Sequence, residues 1–172
     1  IFPDLQMNFD LGWTDFSAWD KFKFEFDRQI SLLKVAKLLS NDVTDRSLSL
    51  PLKFQSSWRW GLGIEYSATD RLKLRMGYEP RTSSIPDDKR NTMVPINNAQ
   101  LFGLGVGYRF DQDTDLDLTV GFLRSRDDIP ENTSSLSNKK GVDNLLLNPY
   151  AGLDVKTNTK VTLLGINYRT KW

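Results

Sequence analysis

The strongest constraint on the fold is an alternation of large apolar residues with polar residues or glycines, which recurs in six segments. Successive side chains of an extended strand point to opposite sides, so a period of two places the apolar residues of a segment on one face. Regular alternation of this kind predicts β-strands. The six segments are LQMNFDLGW (5–13), SWRWGLGIEYS (57–67), RLKLRMGYE (71–79), LFGLGVGYRF (101–110), TDLDLTVGF (114–122) and LLGINYRTKW (163–172).

The links between these segments fall into two lengths. Short links around residues 68–70 and 112–114 predict tight hairpins between antiparallel neighbours. The stretches at about 28–54, 80–98 and 126–157 are long, polar and rich in turn-forming residues. Short turns at one end and long loops at the other are typical of an outer-membrane β-barrel, in which the turns are periplasmic and the loops extracellular.

The first segment has a possible continuation after residue 13. Its apolar parity changes from odd at Trp13 to even at Phe22, Phe24 and Phe26. A one-residue bulge near residues 15–21 would restore the alternation, so we expect the first strand to run on through this segment.

The aromatic residues fall into two groups near the two ends of the predicted strands. Amphipathic aromatic rings are enriched where a membrane protein meets the headgroups, so two groups predict two aromatic belts. A soluble sandwich would bury the same apolar faces in a core, and alternation alone does not separate the two folds. The group beside the short turns is Tyr66, Tyr108, Phe110, Tyr168 and Trp172, and the group beside the long loops is Trp58, Trp60, Tyr78 and Phe122.

Composition limits the chemistry that the chain can carry. Its 172 residues include no cysteine and no histidine, which excludes zinc sites built on these residues, cysteine nucleophiles and Ser-His triads. The net charge of +1 gives no support to nucleic-acid binding. The sequence contains no run of eighteen apolar residues, so it predicts no transmembrane helix. We expect no enzyme activity, no metal and no cofactor.

The second face of the predicted strands carries charges and glycines, and in a barrel it lines the lumen. With a three-residue turn at 68–70, Glu65 lies opposite Lys73, and Arg59 lies opposite Glu79. Arg109 can reach Asp115 or Asp117. The alternative is a solvated polar face with accidental charge complementarity. The predicted lumen-facing residues are Arg59, Gly61, Gly63, Glu65, Lys73, Arg75, Gly77, Gly103, Gly105, Gly107, Arg109 and Gly121.

Glycine is concentrated on this face. Nine of the eleven glycines share its parity, although glycine inside a strand is costly and usually marks a bend or the close approach of another backbone. The expected register pairs Gly61 with Gly77 and places Gly105 near Gly121. Nine glycines are more than curvature requires, so we expect a lumen-filling segment to contact this band.

One apolar segment lies in a polar loop. ISLLKVAKLL (30–39) places Leu32, Leu33, Ala36 and Leu39 on one helical face. An exposed apolar helix face often marks binding, which makes these four residues candidates for capturing a hydrophobic ligand. The alternative is that the helix packs onto the barrel rim.

Three stretches of the chain resemble the FadL family of outer-membrane transporters. They are DLGWTDFSAWDKF (10–22), TDRLKLRMGYEPRTSSIPDDKRNTMVP (69–95) and LFGLGVGYRFDQDTDLDLTVGF (101–122). The resemblance implies passive uptake of long-chain fatty acids or aromatic hydrocarbons across the bacterial outer membrane. It also implies a larger antiparallel up-and-down transmembrane barrel with an N-terminal hatch inside it.

About six strands are too few to close a barrel, since the smallest need roughly eight. We therefore interpret residues 1–172 as the C-terminal portion of a single outer-membrane β-barrel domain. Its expected partners are a hydrophobic small molecule, outer-membrane lipid or detergent, and the N-terminal part of the same barrel, whose hatch is our candidate for the lumen-filling segment. A soluble lipid-binding β-barrel or a structural or adhesive outer-membrane barrel remains the alternative.

Overall fold

The computed structural model describes residues 4–94, 97–141 and 148–170. Within them the strands are β1 (Leu5–Thr14), β2 (Phe22–Glu25), β3 (Ser47–Leu50), β4 (Ser57–Ser67), β5 (Leu72–Arg81), β6 (Ala99–Arg109), β7 (Thr114–Ile129) and β8 (Val155–Thr170). The helical elements are α1 (Ser31–Ala36) and a short 3-10 helix (Asp87–Lys89). None of the helices in these ranges is long and apolar enough to cross a membrane.

Six strands form one antiparallel sheet in the order β1-β4-β5-β6-β7-β8. The last five follow one another as an up-and-down meander, which confirms the predicted all-β fold. β1 and β8 lie at the two edges and are not paired with each other, so the barrel is partial rather than closed. Within the described ranges no second sheet covers the apolar face, and Leu164 and Ile166 are 82% and 78% exposed.

The register of the β4–β5 hairpin differs from the prediction by two residues. Glu65 lies opposite Arg75, and Ser67 lies opposite Lys73. The reason lies in the turn, where the Thr69 hydroxyl accepts hydrogen bonds from the backbone N–H groups of Arg71 (3.2 Å) and Leu72 (3.0 Å). This side chain lengthens the turn. A shift of two leaves every side chain on its predicted face.

The shift changes which glycines meet. Gly63 lies opposite Gly77, so the expected pairing of Gly61 with Gly77 is wrong. In the separate β6–β7 hairpin, Gly103 lies opposite Gly121. Gly105 faces Thr119 and lies diagonally across from Gly121, as the expected position near Gly121 requires.

The predicted continuation of the first strand through a bulge is wrong. The chain leaves the sheet after Thr14, and β2 pairs instead with β3 in a separate two-stranded sheet. Asp15 ends the strand, because its carboxylate accepts hydrogen bonds from the Ser17 hydroxyl (2.6 Å) and the Ser17 backbone N–H (2.8 Å). These bonds hold the pKa of Asp15 below its usual range. They also turn the chain away from the β4 edge.

The buried apolar core lies in the loops rather than in the sheet. β2, α1 and β3 pack with residues of two other loops into a unit that we call the loop cap. Its most buried members, Leu50, Leu52 and Ile85, are at most 1% exposed. The apolar residues of this core are Leu33, Ala36, Val43, Leu48, Leu50, Leu52, Phe54, Ile85 and Leu136.

Polar contacts tie the two remaining long loops together above the sheet. The Ser134 hydroxyl donates a hydrogen bond to the Arg90 carbonyl (2.5 Å), and the Ser135 backbone N–H donates to the Asp88 carbonyl (2.9 Å). Within the loop after β7, the buried Asn138 amide nitrogen lies within hydrogen-bond distance of the carbonyls of Ile129 (3.0 Å), Pro130 (2.7 Å) and Leu153 (2.9 Å). The Arg90 guanidinium forms an ion pair with Asp127, whose side chain is almost fully buried. The described parts of the long loops are therefore packed against one another at one end of the sheet.

Candidate functional site: the polar wall and the loop cap

The twelve residues predicted to face the lumen all lie on one face of the sheet, which we call the polar wall. The registers keep a constant offset across β4, β5, β6 and β7, so parity is preserved from strand to strand. That this wall lines a lumen remains a prediction, because β1 and β8 are open edges.

Charged side chains near the short turns form a network that crosses four strands. Glu65 accepts hydrogen bonds from Lys73 Nζ (2.5 Å) and Arg75 Nε (2.6 Å), and Arg75 Nη1 donates to Asp117 Oδ1 (2.5 Å). The predicted pairs of Glu65 with Lys73 and of Arg59 with Glu79 (3.7 Å) therefore form, but diagonally rather than directly opposite.

Asp115 extends this network toward the edge of the sheet. It lies directly opposite Arg109, as one of the two predicted registers requires, and contacts it at 3.4 Å. On its other side it contacts Arg169 at 3.1 Å. We call the complete set the ionic collar, and its members are Glu65, Lys73, Arg75, Arg109, Asp115, Asp117 and Arg169.

The ionic collar gives two of the glycines a specific role. Arg75 lies on β5 and reaches Asp117 on β7 by passing over β6 at Gly107. A Cβ added at Gly107 would lie 2.6 Å from Asp117 Oδ1 and 3.0 Å from Arg75 Nη1. At Gly12 an added Cβ would lie 2.8 Å from Arg59 Nε. These glycines therefore leave room for arginine side chains of the same wall.

Six of the remaining glycines leave an open depression in the middle of the wall, with a volume of about 540 Å³. A Cβ added at Gly103 would meet no described atom within 4 Å, and one at Gly63 only Asn8 Cβ at 3.9 Å. Nothing in the described chain fills this space, and the expected contact with a lumen-filling segment remains a prediction. The glycines that line the depression are Gly61, Gly63, Gly77, Gly103, Gly121 and Gly165.

An apolar strip borders the depression on the side of the long loops. Leu123 lies opposite both Leu101 and Val161, and Leu163 lies opposite Gly121 on the same wall. Val161 and Leu163 are 40% and 50% exposed. Sequence reasoning missed these four residues, because they stand at positions of polar parity. Adjacent apolar pairs that break the alternation, such as Leu101-Phe102 and Leu163-Leu164, are the signal that could have found them.

The loop segment 30–39 divides its predicted binding residues between two environments. The helix spans only Ser31–Ala36, and Leu33 and Ala36 are buried in the loop cap. Leu32 (67%) and Leu39 (49%) are exposed. A single capture face made of all four residues is therefore absent. The exposed apolar residues of this segment, which we call the cap surface, are Leu32, Val35, Leu38 and Leu39.

The opposite face of the sheet carries a row of neighbouring aromatic rings across four strands. Ring centroids are 6.4 Å apart for Phe9 and Trp60, 5.6 Å for Trp60 and Tyr78, and 4.7 Å for Tyr78 and Phe102. Two members of this row, Trp60 and Tyr78, belong to the predicted belt beside the long loops, and a third member of that belt, Trp58, contacts Trp13 at a ring-centroid distance of 6.4 Å. In the predicted belt beside the short turns, Trp172 lies outside the described residues. Among the described residues, no cluster of three or more acidic side chains could hold a metal ion.

Comparison with known proteins identifies relatives of the whole chain. The family model described as outer membrane protein transport protein (OMPP1/FadL/TodX) matches residues 1–172. Fifteen chains of solved structures match, among them the crystal structure of a Pseudomonas aeruginosa FadL homologue, with a TM-score of 0.53 and 14% sequence identity. That similarity covers 97% of this chain and 31% of the homologue's chain. No curated protein matches.

Proposed function

The chain belongs to the outer membrane transport protein family that includes FadL and TodX, and from this membership we propose that it contributes to passive uptake of hydrophobic small molecules across the bacterial outer membrane. Long-chain fatty acids and aromatic hydrocarbons are the substrate classes proposed. The six strands would be the C-terminal portion of a larger barrel, completed by an N-terminal part that includes a hatch.

The observation that carries this proposal is the apolar strip of Leu101, Leu123, Val161 and Leu163 on an otherwise polar wall. Exposing apolar surface to water is unfavourable by about 25 cal/mol per Å². A lumen that conducts only ions or water therefore has no need for exposed leucines. A hydrophobic substrate would cover this surface as it passes. The neighbouring glycine depression of about 540 Å³ provides room for it, and small-molecule sites combine concave shape with apolar lining.

The cap surface supports an earlier step of the same process. Leu32, Val35 and Leu38 are 67%, 62% and 79% exposed on the loop cap. With the long loops extracellular, these residues would meet a hydrophobic molecule before it reaches the wall. Leu33 and Ala36 hold the helix in place from below, so they would act on capture only through the fold of the cap.

Uptake assays on the full-length protein test the proposal at Leu163. Replacing Leu163 by Asn removes apolar contact worth roughly 1.5 kcal/mol, so uptake of a labelled long-chain fatty acid should fall about tenfold. Thr159→Asn is the matched control, because Thr159 lies on the same strand and wall outside the apolar strip. Equal uptake by both variants at equal surface expression would contradict a role for the strip.

A further inference from the structure

Three cations project from the apolar face of the sheet beyond its aromatic row. β7 and β8 are longer than the other strands and remain paired in one continuous register from Thr114 to Ile129. In this extension Arg124, Arg126 and Lys160 have the parity of Phe122 and Leu164, and all three are exposed. The intervening residues Ser125 and Asp127 point the other way and are buried.

These cations differ from those of the polar wall in having no partner. The arginines and lysines of the wall, such as Arg75 and Arg109, each form an ion pair. The side chains of Arg124, Arg126 and Lys160 form no hydrogen bond or ion pair with any residue that the structure describes. Arg124 and Lys160 lie directly opposite each other. Like charges in that position repel and destabilise a sheet unless an anion lies between them.

The neighbouring acidic residue does not neutralise the cluster. Asp128 is the next residue of the same parity on β7, and it contacts Lys156 at 3.4 Å. The charges of Asp128 and Lys156 cancel each other, so the positive charges of Arg124, Arg126 and Lys160 are not compensated by Asp128.

A groove of about 550 Å³ connects Arg124 and Arg126 to Trp60 of the aromatic row, and Lys160 lies beside it, opposite Arg124. Its apolar side includes Trp58, Trp60 and Pro80. Gln100, Arg124 and Arg126 form its polar side. Pro80 lies opposite Gln100, and Gln100 lies opposite Arg124, so the groove runs across the strands. It is apolar on the side of β4 and β5 and cationic on the side of β7, and a lipid with an acyl chain and an anionic headgroup requires both surfaces.

We propose that this groove binds a phosphate-bearing lipid of the outer leaflet, with its phosphates on Arg124, Arg126 and Lys160 and an acyl chain along Trp58 and Trp60. The inference rests on the proposed function for its orientation, in which the long loops are extracellular. Guanidinium groups bind phosphate oxygens through paired N–H donors, and an ammonium group adds charge without demanding one geometry. Basic clusters beside a membrane-spanning segment recognise lipid headgroups in this way.

The test measures lipid binding by the full-length protein in nanodiscs. The lipid-site variant carries Arg124→Gln, Arg126→Gln and Lys160→Gln. The control variant carries Lys21→Gln, Arg28→Gln and Lys139→Gln, which removes the same charge from exposed loop positions. Fluorescent bis-phosphorylated lipid A is titrated against each variant in phosphatidylcholine nanodiscs. Dephosphorylated lipid A and inorganic phosphate serve as competitors.

We expect the lipid-site variant to bind bis-phosphorylated lipid A roughly 10- to 100-fold more weakly, with the control variant unchanged. Dephosphorylated lipid A should compete poorly. Equal weakening of binding in both variants would mean that net charge alone explains lipid binding. Full competition by millimolar inorganic phosphate would mean that the site binds free phosphate rather than a lipid. Either result overturns the proposal. Fatty-acid uptake by the unmodified protein separates the two claims, because absence of uptake would contradict the proposed function and leave the lipid-binding result unchanged.

Discussion

At the scale of single residues, Gly107 shows how a missing side chain makes an interaction between non-adjacent strands possible. A methyl group there would lie 2.6 Å from Asp117 Oδ1, so Gly107→Ala should displace the Arg75–Asp117 ion pair. Because both partners are partly exposed, we expect the free energy of unfolding to fall by only about 1 kcal/mol. Urea titration of the full-length protein in lipid vesicles measures this change.

Gly103→Ala is the matched control for that substitution, since it adds the same methyl group to the same strand in open space. Its effect should stay within about 0.5 kcal/mol. Equal effects at the two positions would mean that the ion pair does not determine the need for glycine at Gly107.

At the scale of elements, the loop cap has its own small core, separate from the sheet. Leu52 is fully buried in it, so Leu52→Ala should destabilise the cap by roughly 2–5 kcal/mol. The strands β4–β8 do not depend on this core for their pairing. We therefore expect faster proteolysis of residues 16–56, with unchanged heat-modifiable migration of the barrel on gels. Leu38→Ala, at a residue that is 79% exposed, should leave proteolysis unchanged.

Loss of heat-modifiable migration in Leu52→Ala would show that the cap and the strands unfold together.

The helix surface in this cap also illustrates a limit of periodicity. The period of a helix places Leu32 and Leu33 on neighbouring positions of its circumference, but which of them is buried depends on β2 and β3, which pack from one side.

At the scale of the whole molecule, the two faces of the sheet predict opposite responses to charge. Leu118 belongs to the apolar face and Thr119 to the polar wall. An arginine at Leu118 should destabilise the folded protein by roughly 2–4 kcal/mol at the centre of a bilayer, whereas Thr119→Arg should cost much less. Folding titrations into phospholipid vesicles measure both. Equal penalties would argue against a membrane on the apolar face.

The sequence by itself determined the strands and their faces, because period-two alternation is a local property of an extended chain that needs no knowledge of its neighbours. It also determined the absence of histidine and cysteine chemistry. Arg109 and Asp115 could be placed together across a short hairpin, since few registers were available. A two-residue error in the register of the β4–β5 hairpin still left Glu65 and Lys73 on one face.

Only the tertiary structure decided which residues meet over longer distances. The Thr69 hydroxyl set the register of one hairpin, and the Asp15–Ser17 hydrogen bonds ended β1 where alternation alone predicted a bulge. The passage of Arg75 over Gly107 joins strands that are not neighbours, and the apolar strip of Leu101, Leu123 and Leu163 forms only when three strands align. These features depend on turn hydrogen bonds, packing and register, and none of these can be calculated from the alternation of one segment.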